Sequence, residues 1–124
     1  MNCSEMLNII NDYKFAWENH DLKLLREIFE PDATYCESPE NIFYGIEEII
    51  EYWKGNDLKQ RHVEFELIEW FCQKNKLVFH WKCRFYHVLK EKYKIIQGVI
   101  WLELNSKGKI VKLTEYYHKA YEKG

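Results

Sequence analysis

Apolar side chains recur along this chain at two different periods, and the change from one to the other falls near residue 62. Before it they follow the helical spacing of three and four. Met6, Ile9, Ile10, Tyr13 and Trp17 share one face, with Ser4 placed to cap and Glu5 in the first turn, so the spacing predicts a helix from about Ser4 to Asn19. Asp21 is placed to cap a second helix whose stripe is Leu22, Leu25, Ile28 and Phe29 and whose end is set by Pro31. Beyond the proline, a short strand is expected to carry Tyr35 and Glu37 on one face. Tyr44-Gly45 then opens a third helix, with Glu47 and Glu48 in its first turn and Ile46, Ile49, Ile50 and Trp53 as its apolar stripe.

From about His62 the period is two, in four segments joined by short polar turns. Val63, Phe65 and Leu67 alternate with Glu64 and Glu66, and Phe79, Trp81, Cys83 and Phe85 alternate with His80, Lys82, Arg84 and Tyr86. A turn near Gln73 to Lys76 sets the two glutamates against Lys82 and Arg84, a cross-strand match of about 0.2 to 1 kcal/mol per pair. The third segment, Tyr93 to Asn105, offers Ile96, Gly98, Ile100, Leu102 and Leu104. After the Asn105-Ser106-Lys107-Gly108 turn, the last offers Val111, Leu113, Glu115 and Tyr117. Drawn this way, Cys83, Gly98 and Glu115 share one layer, and Gly98 leaves room over the backbone for a ligand. The elements amount to one α+β domain spanning residues 1–124, with three N-terminal helices packed on a curved antiparallel sheet.

Composition narrows the reading. A chain of 124 residues encloses one core, and aromatics at 17% mean either a dense core or a lined pocket. Eighteen basic against twenty acidic residues, a net charge of −2, give no attraction for nucleic acid or an anionic membrane, so neither is expected as a partner. Cys3, Cys36, Cys72 and Cys83 form no CxxC pair and are expected to be reduced, mostly buried thiols. With no basic start leading into an apolar run, and no apolar stretch near ~20 residues, a cytoplasmic location is expected. His20, His62, His80, His87 and His118 show no metal-ligand spacing, and there is no glycine-rich phosphate loop. No metal and no cofactor are therefore expected.

The ordered set Trp17 to Asp21, Phe29 to Glu37, Tyr44-Gly45-Ile46-Glu47-Glu48-Ile49-Ile50-Glu51-Tyr52-Trp53, and Gln97-Gly98 leading to Lys107-Gly108-Lys109-Ile110-Val111 resembles the nuclear-transport-factor-2-like (NTF2-like) superfamily. More narrowly, it resembles the polyketide-cyclase-like (SnoaL-like) proteins. The resemblance covers nearly the whole chain. It implies a cone-shaped fold, a pocket between helices and concave sheet, and a homodimer through the sheet's outer face. The same superfamily contains ketosteroid isomerases, whose helix-one tyrosine matches Tyr13 and whose strand-borne aspartate base matches Glu37, with the distance between them kept. Their third participant, a protonated acid, falls on Ile100, which cannot donate a hydrogen bond. Losing such a donor removes about 2 to 4 kcal/mol of transition-state stabilisation, so steroid isomerisation itself is not expected. In limonene-epoxide-hydrolase-like proteins a last-strand aspartate matches Glu115, but their arginine and second aspartate have no counterpart, since Arg84 alternates outward.

The candidate catalytic residues are thus Tyr13, Glu37 and Glu115, with Trp17, Tyr35, Trp53, Trp81, Cys83, Phe85, Gly98, Ile100 and Tyr117 as candidate ligand contacts. A carboxylate among aromatics is desolvated and its pKa rises toward neutrality, and two in one cavity repel and divide the roles of acid and base. Plainer readings stand beside these. Tyr13 fits a core position, Glu37 fits a strand end in water, Glu115 fits a salt bridge, and His87 fits the surface better than a pocket mouth. Two functions remain. One is acid–base chemistry of isomerase, cyclase, dehydratase or hydrolase type on a small, mostly apolar molecule; the other is a non-catalytic ligand-binding or dimeric interaction module. His80, Lys82, Arg84, Tyr86, Val99, Trp101 and Tyr116 on the outer sheet face are the expected homodimer surface.

Overall fold

In a computed structural model, which describes residues 2–122, the first two helices begin where a side chain accepts a free N–H group and the third begins at a glycine. Helix α1 (Cys3–Asn19) is capped by Asn2 rather than Ser4. Asn2 Oδ1 accepts the Glu5 N–H at 2.9 Å and the Ser4 hydroxyl at 2.7 Å. Helix α2 (Leu22–Ile28) is capped by Asp21, as its sequence predicts. It ends before Phe29, and Pro31 lies inside strand β1 (Phe29–Cys36). The proline acts one residue earlier than expected, because it holds Glu30 in an extended conformation and lacks the N–H a helix would need. After β2 (Ile42–Tyr44), Gly45 at φ 85° opens α3 (Ile46–Lys59), and the chain passes directly into β3 (Gln60–Gln73).

Strands β3, β4 (Lys76–His87), β5 (Lys92–Leu104) and β6 (Ile110–Tyr121) form the expected meander. With β1 and β2 they make one six-stranded sheet in the order β2-β1-β6-β5-β4-β3. The sheet is not wholly antiparallel, because β1 and β6 run parallel. Strand β3 lies at the far edge, so the meander returns to β1 only on its fourth strand, which runs the same way.

The predicted turn is present, Gln73 opposite Lys76, and Glu64 faces Arg84 while Glu66 faces Lys82. The next two pairings differ from expectation by two residues each. Phe79, Ile100 and Glu115 form one rung, Trp81, Gly98 and Tyr117 the next, and Cys83 pairs with Ile96, so Cys83, Gly98 and Glu115 do not share a layer. A slip of two keeps every side chain on its face, which is why the inward set survives the correction. Near the start of β6 the ladder carries a bulge. Glu103 faces Lys112 and Leu104 faces Ile110, leaving Val111 as the extra residue and making Ile110 the buried side chain there.

Gly98 also plays a different part from the one expected. A Cβ on it would lie 2.7 Å from Tyr117 Cα and run into the Tyr116 carbonyl, so the neighbouring strand, not a ligand, fills the space above it. The cysteines depart from expectation too. Cys3 and Cys72 are joined by a disulfide, Cα atoms 5.8 Å apart, tying the first turn of α1 to the end of β3; Cys36 is half-buried and only Cys83 is fully enclosed. Spacing in the sequence carries no sign of this, because the two thiols are 69 residues apart and meet only through the packing of α1 on the sheet. Among the described residues no helix is long and apolar enough to cross a membrane.

Candidate functional site

The inward face of the sheet and the two long helices enclose a cavity of about 210 Å³. Helix α1 supplies Tyr13 and Trp17, α3 supplies Tyr52, Trp53, Asn56 and Lys59, His20 comes from the turn after α1 and Glu37 from the bend after β1, and the strands supply the rest of its wall. Tyr13 and Trp17 are one helical turn apart on the apolar stripe, which explains why a core-forming pattern also builds a lining. Trp17 meets Trp81 edge-on at 5.0 Å, and its Nε1–H donates to Gln60 Oε1 at 3.0 Å. The indole N–H groups of Trp53 and Trp81 are buried without a hydrogen-bond acceptor. Each indole meets an aromatic neighbour edge-on, Tyr13 and Trp17 respectively.

Two carboxylates face this space, Glu115 from β6 and Glu37 from the bend after β1. Glu115, brought inward by the alternation of β6, is 9% exposed. Its Oε1 accepts the Tyr35 hydroxyl, and since Tyr35 spends its hydrogen there, Tyr13 donates either to the Tyr35 oxygen at 3.2 Å or to Glu115 Oε1 at 3.5 Å. Its Oε2 has no protein partner among the described residues. Burial raises the Glu115 pKa, the Tyr35 hydrogen bond opposes the rise, and the charge of Glu37 adds to it, so that the carboxyl is pushed up to about 7. Burial first, and then the Glu115 charge, hold Tyr13 and Tyr35 well above the ordinary phenol range, which keeps both as neutral donors.

Glu37 follows β1 at a bend and is buried, not at a solvated strand end. Both of its oxygens are taken: Oε1 accepts the Tyr117 hydroxyl and Oε2 accepts Asn41 Nδ2 at 3.1 Å. The carboxylates therefore differ: Glu37 is bonded at both oxygens and Glu115 at Oε1 alone. Of the two carboxylates, Tyr13 hydrogen-bonds with Glu115 and not with Glu37.

A family model describing the SnoaL-like domain matches residues 11–113. The chain belongs to the SnoaL-like family. Solved structures give this SnoaL-like chain its fold. The epoxide hydrolase/cyclase-like enzyme SalBIII, which has a role in pyran ring formation in the polyether salinomycin, superposes with a TM-score of 0.84 at 16% identity, over 96% of this chain and 97% of that one. A protein of ketosteroid-isomerase-like fold from Catenulispora acidiphila, in complex with trimethylamine, gives 0.77 at 16% identity over 88% and 84%. An NTF2-like protein of unknown function from Burkholderia pseudomallei gives 0.80 at 12% identity over 91% and 90%. Among curated protein sequences there is no significant match.

In this SnoaL-like cavity, Tyr13, Glu37 and Glu115 come together, with Trp17, Tyr35, Trp53, Trp81, Phe85 and Tyr117 around them. Cys83, Gly98 and Ile100 do not line it; Cys83 and Ile100 are fully buried behind it. His87, read from the sequence as a surface residue, is buried and on the wall. Tyr52, Gln60, Lys59 and Lys94 escaped the sequence reading. Lys94 was within reach of it, since it continues the inward alternation of β5 two positions before Ile96, whereas Gln60 had no sequence signal. Arg84 faces outward as expected and forms two hydrogen bonds with Glu122, at 2.7 and 3.3 Å. Among the described residues no group of three or more His, Cys, Asp or Glu is placed to hold a metal ion.

Proposed function

We propose that this chain performs acid–base chemistry on a small, mostly apolar molecule bearing an oxygen acceptor, with Glu115 as the group that moves the proton. The observation that carries this reading is the Glu115 carboxyl itself: buried on a cavity wall, held through Oε1 by Tyr35 and Tyr13, open at Oε2, and balanced between its two forms near neutral pH. As a carboxylate it takes a proton from carbon beside a carbonyl and returns it to another carbon; as an acid it protonates a departing or ring oxygen. Tyr35 and Tyr13 act by holding Glu115 in place. The cavity is smaller than the ~300 Å³ at which drug-sized sites begin, so the ligand is correspondingly small. A fold shared with SalBIII supports ring-forming or epoxide chemistry only by analogy, because one fold hosts many reactions.

Hydrogen–deuterium exchange beside the carbonyl of small cyclic ketones, followed by NMR in heavy water, tests the base. The parent is expected to accelerate exchange, and Glu115→Gln to lose about 10²- to 10⁴-fold of it. Equal rates for parent and variant would remove Glu115 from the chemistry. The second reading, ligand holding without turnover, is favoured by Glu37, whose two oxygens are both engaged by Tyr117 and Asn41. A second copy of the chain is proposed to cover the outer face, where Trp101 and Tyr116 are 42% and 64% exposed.

A further inference from the structure

One end of the cavity carries positive charge that no ion pair among the described residues neutralises. Lys59 closes α3, His87 ends β4, and Lys94 lies on the inward face of β5, and all three are on the cavity wall. The backbone brings them together. The Lys59 carbonyl accepts the Val88 N–H at 2.9 Å, Gln60 pairs with His87, and Phe85 pairs with Lys94. Lys90 and Lys119 stand close enough to be felt: Lys94, Lys59 and Lys90 add to burial in lowering the His87 pKa, and Lys119 and Lys59 add to burial in lowering that of Lys94. This clustering occurs in a chain of net charge −2. The ion pairs among the described residues use His20, Arg26, Lys54 and Arg84 instead. Glu37 is the acid that faces Lys94, and its oxygens already accept from Tyr117 and Asn41.

His87 supplies an independent observation. It is 9% exposed, and its Nδ1 accepts the Lys90 N–H at 3.2 Å, which places the ring hydrogen on Nε2. That Nε2–H has no protein partner among the described residues and is not sealed off, so it is free to meet a ligand's acceptor. Lys94 is half-buried, its Nζ 5.6 Å from the Tyr121 ring and 6.0 Å from that of Phe85, so aromatic walls hold the ammonium at the rim. On the inward face of β5 only Ile96 and Gly98 separate Lys94 from Ile100, the rung of Glu115.

We propose that this end is a carboxylate-binding subsite: the ligand is a small organic acid whose carboxylate is held by Lys94 Nζ and the His87 Nε2–H, with Lys59 at the rim and the apolar body directed toward Glu115. The proposal rests on the reading of the cavity as a ligand site and names the ligand's class. One ammonium and one neutral N–H suit a monoanion, and the Glu37 charge beside them disfavours a dianion such as phosphate.

The test uses the fluorescence of Trp17, Trp53 and Trp81, which line the cavity, as the full chain is titrated at pH 7 with phenylacetate, cyclohexanecarboxylate, the two corresponding amides and inorganic phosphate. Each acid is expected to bind at least tenfold more tightly than its amide, phosphate is expected not to displace it, and Lys94→Met is expected to abolish the preference. Acid and amide binding equally would overturn the subsite and leave Glu115 standing as the base. Displacement by phosphate, an undiminished preference in Lys94→Met, or no binding of either acid at millimolar concentration would overturn it too. Should Lys94→Met not fold, Lys59→Met at the exposed rim is expected to weaken the preference at least threefold, and an unchanged preference there would also count against the subsite. Loss of exchange in Glu115→Gln with the acid preference intact would separate the two readings from the other side.

Discussion

Replacing Glu115 with glutamine removes one ionisation from the cavity and leaves a side chain of the same size whose Oε1 still accepts from Tyr35 and Tyr13. In the folded chain the Glu115 pKa is about 7, against 4.5 for an unburied glutamate. Between those pH values the folded protein keeps a proton that the unfolded chain has released, so stability falls as pH rises through the window and levels off above it. A gap of that size corresponds to about 3 kcal/mol. Urea unfolding of the parent and Glu115→Gln at pH 4.5, 6, 7 and 8 measures it directly, because contributions common to both chains cancel in the difference. The variant is expected to gain on the parent by about 3 kcal/mol from the lowest pH to the highest. A difference that stays flat within about 1 kcal/mol would refute the claim that burial and Glu37 hold this carboxyl protonated.

Three other outcomes are expected. Cys72→Ser, or excess dithiothreitol on the parent, should lower stability by about 4 kcal/mol through loss of the link between residues 69 apart, and unfolding curves unaffected by reductant would contradict it. Gly98→Ala should cost at least about 2 kcal/mol, because its methyl meets Tyr117 backbone that cannot step aside; an unchanged melting temperature would show that β6 has room there. Sedimentation should show a dimer at micromolar concentration that Trp101→Lys converts to monomer, and a monomeric parent would leave the outer face uncovered.

The parts of the fold that a single residue or a short stretch decides were legible in the sequence. Asp21 capped α2, Gly45 opened α3, and the charges of Glu64 and Glu66 against Arg84 and Lys82 fixed the first hairpin. The β4–β5 register was not legible because its connection turns on Glu91 at φ 52° instead of on glycine, so the strand ends have no marker. A two-residue slip left the inward faces right and the rungs wrong, and the site inherited that error. Glu115 was placed on the correct wall and in one site with Tyr13 and Tyr35, but on the wrong rung, and its hydrogen bonds to those tyrosines, made across an adjacent strand and a helix, follow no local pattern. The Cys3–Cys72 link and Gln60 belong to the same class of feature, made by tertiary packing alone.

Val111 has a wider consequence. Side chains on a strand alternate, so the single extra residue between Ile110 and Lys112 decides which parity of β6 looks inward from there on. Were Val111 instead to take an ordinary place in the ladder, with Ile110 still opposite Leu104, Glu115 and Tyr117 would turn to the outer face and Thr114, Tyr116 and His118 would turn in. The cavity would then exchange its acid for a threonine and a histidine without a single substitution. Strand β6 thus behaves as a reading frame: deleting Val111 itself would straighten the ladder and leave Glu115 facing in, whereas a single-residue insertion or deletion between Lys112 and Glu115 that no bulge absorbs would turn Glu115 out.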